Sequence, residues 1–212
     1  MTDNLNRRKF LRGTAVAGAA TLATPAIAGS HTTTLKMQAA WGGGIFLENA
    51  QSYVDRVHAM AGSALKIDLL AVDSVVKTSQ MQDAVHRGVL DACHYVPAYW
   101  YSKSKSASLF GTGPCFGWSS QEVLGWVNYG GGQELFDELM GDLGLNVVSF
   151  FNSPMPAQPL GWFKEEIKDV SQMEGLKYRT VGLAADVLLE MGMSVVQLPG
   201  GEIQPAMKSG LI

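Results

Sequence analysis

"GLKYRTVGLAADVLLEMGMSVVQL", residues 175–198, reads as strand, helix, strand. Residues 176–180 and 194–198 are short apolar runs of strand length, and 184–191 repeats its apolar positions at helical spacing. Gly192 stops the helix, and the intervening helix lets the two flanking strands run parallel. Arg179 interrupts this apolar pattern at the carboxyl end of the first strand, among Leu176, Tyr178, Val181 and Leu183.

The same grammar runs upstream. Residues 35–40 form a strand, Trp41 and the glycines 42–44 break it, and 46–60 carries apolar residues at helical spacing. Gly62 closes that helix, 65–70 is the second strand, 78–87 a helix stopped by Gly88, and 89–92 a third strand. Such βαβαβ alternation predicts an α/β fold with parallel sheets. Between the two regions, 121–143 holds two helical pieces broken by the glycines 130–132. Strands are expected at 146–151 and 160–163, and a last helix at 205–209.

"MQDAVHRGVLDA" (81–92) is echoed by "IQPAMKSGLI" (203–212). The second copy stops two residues into its strand. Two similar α/β lobes, the second cut short at the C-terminus, are the expected organisation: 29–116 as the first lobe and 117–212 as the second, both partial.

Residues 1–28 are expected to be a twin-arginine export signal. Arg7-Arg8-Lys9-Phe10-Leu11 precedes a small, weakly apolar run, and Ala26-Ile27-Ala28 offers a cleavage site. That run is too short and too rich in Ala and Gly to span a bilayer, which takes about 20 apolar residues. A periplasmic destination follows. Without the signal the chain carries 12 basic and 18 acidic residues, a balance that disfavours nucleic acid or anionic lipid as partner. Cys93 and Cys115 are the only cysteines, too few for a disulfide framework. The apolar stretch around Cys93 favours a buried free thiol over a bridge.

Catalytic signatures are scarce. His31, His58, His86 and His94 lack metalloprotease spacing, and neither a G-x-S-x-G elbow nor a Walker A sequence occurs. The triple glycines precede helices and suit an anion or simply a flexible turn.

Beyond the signal there are three arginines. Arg56 lies on the solvent side of a helix, and Arg87 complements a helix C-terminus. Arg179 does neither. It sits where open α/β sheets bind ligands, and an enclosed guanidinium needs an anionic partner. That partner is either a ligand carboxylate, which the planar fork suits better than Lys does, or an acid of the chain such as Asp186 or Glu202. Gln158, between prolines in "PMPAQPLGW" (154–162), is either a ligand- and cation-reading amide or an ordinary loop residue. Trp41 and the aromatic cluster 99–101 suit either a cleft wall or core packing.

"PMPAQPLGWF" (154–163), "LKYRTVGLAADVLLEMGMSVV" (176–196), "LPGGEIQPAMKSGLI" (198–212), "YVPAYWYSKSKSASLFGTGPCFG" (95–117) and "YGGGQELFDEL" (129–139) together resemble the extracytoplasmic solute receptors of TRAP transporters. The resemblance is to the branch that binds 2-oxo acids, with a lactate-binding relative nearby. It implies a two-lobe, type II periplasmic-binding-protein-like fold that closes on its ligand. It also implies that Arg179 pairs with the substrate carboxylate and that Gln158 lies near ligand and cation, sodium for oxo acids or calcium for lactate. Trp41 and Tyr101 are expected wall residues. The implied function is capture of a small monocarboxylate such as a 2-oxo acid and its delivery to membrane permease subunits, with no enzymatic step, no organic cofactor and a homodimer in the longer protein. The rivals are an exported enzyme acting on a small oxo acid, for which Glu202 is the available base, and a sensory receptor feeding a membrane kinase.

Overall fold

A computed structural model describes residues 32–111, 117–155 and 157–212. The export signal at 1–28, Cys115 and the expected boundary at 116 lie outside the described residues.

The first sheet forms around β1 (Thr33–Ala39), which pairs in parallel with β2 (Leu65–Leu70) on one side and β3 (Ala92–His94) on the other. Register runs Thr33 to Leu65 through Gln38 to Leu70, and Met37 to Ala92 through Ala39 to His94. The β1–β2 crossover is α1 (Gly44–Ala61), whose buried Val54 packs with Met37 and Ile67 into a core fringed by Leu35, Val57, Leu69 and Ala92. Gly62 ends that helix at φ 56°, a conformation open to Gly at little cost. A short α2 (Met81–His86) precedes β3. The expected strand at 89–92 begins later than read. Val89 and Leu90 both donate to the Ala84 carbonyl in the turn that leaves α2, so the chain first reaches β1 where Asp91 donates to the Lys36 carbonyl, and the ladder starts at Ala92.

Gln38 is the polar exception inside β1. It is fully buried, its Oε1 accepts from Val75 and Val76 at 3.0 and 3.1 Å, and its Nε2 donates to the Val76 carbonyl at 2.8 Å. With both the oxygen and the nitrogen of the amide bonded, burial costs little, and the loop after β2 is fixed to the sheet.

The second sheet is β4 (Lys177–Thr180) beside β5 (Ser194–Gln197), again parallel, with Arg179 opposite Val196. Its crossover is α5 (Ala184–Glu190), the fifth helix after α3 (Ser120–Tyr129) and α4 (Gly132–Asp142). Leu188 of α5 packs with Met173 and Met193 into a second core, fringed by Phe163, Ile167, Leu176, Tyr178 and Val195. A final helix, α6, covers Ile203–Ser209. Two parallel sheets with separate apolar cores are what a two-lobe α/β organisation requires.

The strands expected at 146–151 and 160–163 are not formed. Exposure alternates from 145 to 151 as in a strand, leaving Val148 83% and Phe150 81% exposed, but neither segment joins a ladder. A period-two pattern sets where side chains point. A strand also needs a neighbour for its backbone groups.

Candidate functional site

The carboxyl ends of β1, β3 and β4 all open on one cavity of about 2570 Å³, lined from both sheets' units. Ordinary small-molecule sites occupy about 300–1,000 Å³, so recognition of a small ligand falls to a part of this space. That part is marked out by Arg179.

Arg179 is half-buried at the carboxyl end of β4 and lines the cavity. Its Nε donates to the Leu198 carbonyl at 2.8 Å, and Nη2 donates to the same oxygen. No carboxylate lies within ion-pair distance of it among the described residues. Asp186, one of the two acids that might have neutralised it, is turned elsewhere: Tyr101 donates to Asp186 Oδ1, and Lys105 Nζ stands 2.9 Å from Oδ2. Glu202, the other, makes no ion pair among the described residues either. One neutral oxygen thus orients the guanidinium without cancelling its charge, and the remaining Nη donors stay available to an anion.

Two residues past Leu198, Gly200 brings this loop against the first unit. Its N–H donates to Tyr99 Oη at 3.1 Å, and a Cβ at Gly200 would meet Trp41 Cδ1 and Tyr99 Oη at 3.4 Å each. Trp41 follows the end of β1, stacks on Phe46 (centroids 4.7 Å, 23°) and receives the edges of His94 and, more obliquely, Tyr99. Tyr95 meets Tyr99 edge-on at 6.2 Å. The result is an aromatic wall facing the arginine's loop, a surface suited to the carbon skeleton of a small ligand.

Of the residues expected at the site, Arg179, Gln158 and Trp41 line the cavity and Tyr101 does not. The 3-10 turn Pro97–Trp100 advances about three residues per turn, which sends Tyr99 to the wall and buries Trp100. Tyr101, leaving the turn, reaches Asp186 instead. Gln158 is exposed, and its amide makes no hydrogen bond among the described residues. As a cation ligand it offers one neutral oxygen. Among the described residues no group of three or more His, Cys, Asp or Glu gathers to hold a metal, whereas calcium takes six to eight oxygens. These residues therefore do not by themselves make a cation site.

Tyr99 stood in the sequence only as one of the aromatic cluster 99–101, and a further wall residue, His94, was missed. His94 ends β3, so the strand-end rule that singled out Arg179 finds it once the strand is placed at Ala92–His94 rather than 89–92. It is buried and its Nδ1 has no partner among the described residues. Burial holds its imidazole below the ordinary value, hence neutral. Tyr95 Oη is likewise buried and unpartnered, and burial, then the neighbouring Cys93, Asp83 and Tyr99, push its phenol upward. Cys93 carries a free thiol raised to about 12 by desolvation. His94, Tyr95 and Cys93 are therefore uncharged at neutral pH, and Arg179 lines the same cavity as a permanent cation.

Known proteins share this architecture. The model of the bacterial extracellular solute-binding proteins, family 7 (DctP), matches residues 44–212. A monocarboxylate 2-oxoacid-binding periplasmic protein of Nostoc sp. is 36% identical over 163 residues, which cover 77% of this chain and 44% of that protein. A TRAP transporter solute-binding protein of Bordetella bronchiseptica, with calcium and picolinate, superposes with a TM-score of 0.76 at 28% identity. The match covers 85% of this chain and 54% of that one. One from Pseudoalteromonas atlantica, with sodium and pyruvate, superposes with a TM-score of 0.72 at 28% identity, covering 85% and 55%. The chain thus spans about half the length of these relatives. The family model spans most of the chain, and the chain belongs to family 7 of the bacterial extracellular solute-binding proteins.

Proposed function

We propose that this protein captures a small monocarboxylate of the 2-oxo acid type in the periplasm and delivers it to the membrane permease subunits of a TRAP transporter. The observation that carries the reading is a half-buried Arg179, held by a neutral carbonyl, free of any ion-paired acid among the described residues, and facing a cavity at a strand end. The 2-oxoacid-binding Nostoc relative and the neighbours holding pyruvate or picolinate support the ligand class.

Arg179 takes the carboxylate through its free Nη donors. The Trp41 and Tyr99 wall packs the carbon skeleton, and the Gln158 amide reads the adjacent oxo group. Approach of the two lobes removes water and strengthens both polar contacts. Sodium or calcium accompanies the ligand in the neighbours. The described residues do not by themselves form a cation site, and capture falls to Arg179, Gln158 and the aromatic wall. Lobes at 29–116 and 117–212 and export of the mature chain by the twin-arginine signal complete the proposal. The relatives are binding proteins, which favours capture over an exported enzyme, and neither the enzyme nor the sensory reading draws support from them.

Calorimetric titration with pyruvate tests the assignment. Arg179→Lys keeps the charge but loses both the Leu198 anchor and the fork, and should weaken binding by at least about 1.5 kcal/mol, roughly tenfold. Undiminished affinity in that variant refutes the clamp.

A further inference from the structure

We propose that Tyr101, Lys105 and Asp186 form a tie between the two lobes, outside the ligand cavity, that holds the strand-end loops of the second lobe against the first. Tyr101 and Lys105 belong to the segment that follows β3, and Asp186 lies in the first turn of α5, the crossover of the other sheet. Each oxygen of the Asp186 carboxylate has its own partner: Tyr101 Oη donates to Oδ1, and Lys105 Nζ lies 2.9 Å from Oδ2. Lys105 Nζ also stands 5.3 Å from the centre of the Tyr101 ring, so the three side chains brace one another. None of the three lines the cavity.

The tie is one end of a continuous seam. Next along it, Gly182 packs so tightly on the first lobe that a Cβ there would lie 2.9 Å from Ser108 Oγ and 3.4 Å from Ala98 Cβ. At the far end the Gly200 N–H reaches Tyr99. Between Gly182 and Gly200 the second lobe's own loops are fastened together, since the Gly182 N–H donates to Gln197 Oε1 and Arg179 holds the Leu198 carbonyl. A load on Asp186 is therefore transmitted to the loop that positions Arg179. Binding needs the two lobes together, and a tie that favours the approached arrangement raises the population competent to capture. That consequence rests on the receptor reading. The tie itself does not.

The test uses solvent exchange of individual amides, followed by NMR on the 212-residue chain without ligand. The reporter is Gly200, whose N–H bonds Tyr99 across the seam and involves none of the three tie residues. Asp186→Asn and Tyr101→Phe should each speed Gly200 exchange by about five- to tenfold, the effect of losing a charge-assisted contact that is partly exposed. High salt should produce part of that change in the wild type by screening Lys105 from Asp186. Ladder amides of β1–β2 and β4–β5 should keep their rates. Unchanged exchange at Gly200 overturns the proposal, and so does an equal rise at the ladder amides, which would mean general loosening. Pyruvate titration is a separate measurement, so failure of the receptor reading and failure of the tie are distinguishable.

Discussion

Gly182→Ala puts a single methyl group into the lobe seam, and its cost follows from two features of the backbone. Gly182 sits at φ +70°, where an L-residue with a Cβ is disfavoured by about 1–2 kcal/mol. The new methyl would also stand 2.9 Å from Ser108 Oγ and 3.1 Å from Ser108 Cβ. Rotation of the Ser108 hydroxyl relieves the first contact and leaves the second, because Ser108 is fully buried within a 3-10 turn. Overpacking of this kind costs about 1–3 kcal/mol. The total, about 2–5 kcal/mol, is a large share of the roughly 5–15 kcal/mol that holds a domain folded. Urea unfolding of Gly182→Ala, Ser108→Gly and the double variant separates the two parts. Removing the Ser108 side chain makes room for the methyl but does nothing for φ, so the double variant should recover the overlap part, a coupling of about 1–3 kcal/mol. A Gly182→Ala protein within about 0.5 kcal/mol of wild type, or a cycle with no coupling, refutes the packing argument.

Two further outcomes follow from the wall of the cavity. His94 has a folded value lowered from 6.5 by burial, so the unfolded chain takes up the proton first. Its contribution is whole above pH 6.5 and is lost as pH falls below 6.5 towards the lowered value. Melting should therefore drop between pH 7 and pH 5, and His94→Gln should flatten that part of the profile. The Cys93 thiol, pushed up to about 12, stays protonated at pH 8. In a Cys115→Ser background, a disulfide reagent should modify it on the order of a hundredfold more slowly in the native protein than in urea, and equal rates would contradict its desolvation.

What the sequence revealed and what it hid divide along a physical line. The βαβ units were legible because their signals are local: helical spacing in 46–60 and 184–191, and glycines at helix ends that take positive φ, Gly62 at 56° and Gly192 at 84°. Segments 146–151 and 160–163 carry an equally local pattern, yet ladder formation depends on a remote neighbour, which periodicity does not encode. The choice between Tyr99 and Tyr101 was hidden for a related reason. Three adjacent aromatics look alike in sequence, and the pitch of a 3-10 turn decides which one meets the cavity. Gln38 was hidden too. A glutamine in a strand reads as a solvent-facing residue until the loop that satisfies its amide is known.

Arg179 and Asp186 together show how one crossover separates two electrostatic tasks. Seven residues apart on β4 and α5, they are within sequence reach of an ion pair, and such a pair would have cancelled the charge that a carboxylate ligand needs. A bound anion would then have had to displace an acid already in place, giving up most of its Coulomb gain. Instead Tyr101 and Lys105 hold Asp186, which lowers its carboxyl below the ordinary range through the Tyr101 hydrogen bond first and Lys105 second. Arg179 is meanwhile steered by the Leu198 carbonyl, a partner that fixes direction and leaves the positive charge uncancelled. Occupying the acid at the seam keeps the guanidinium open to a ligand. The residue that ties the lobes is therefore also one that would otherwise compete for the site.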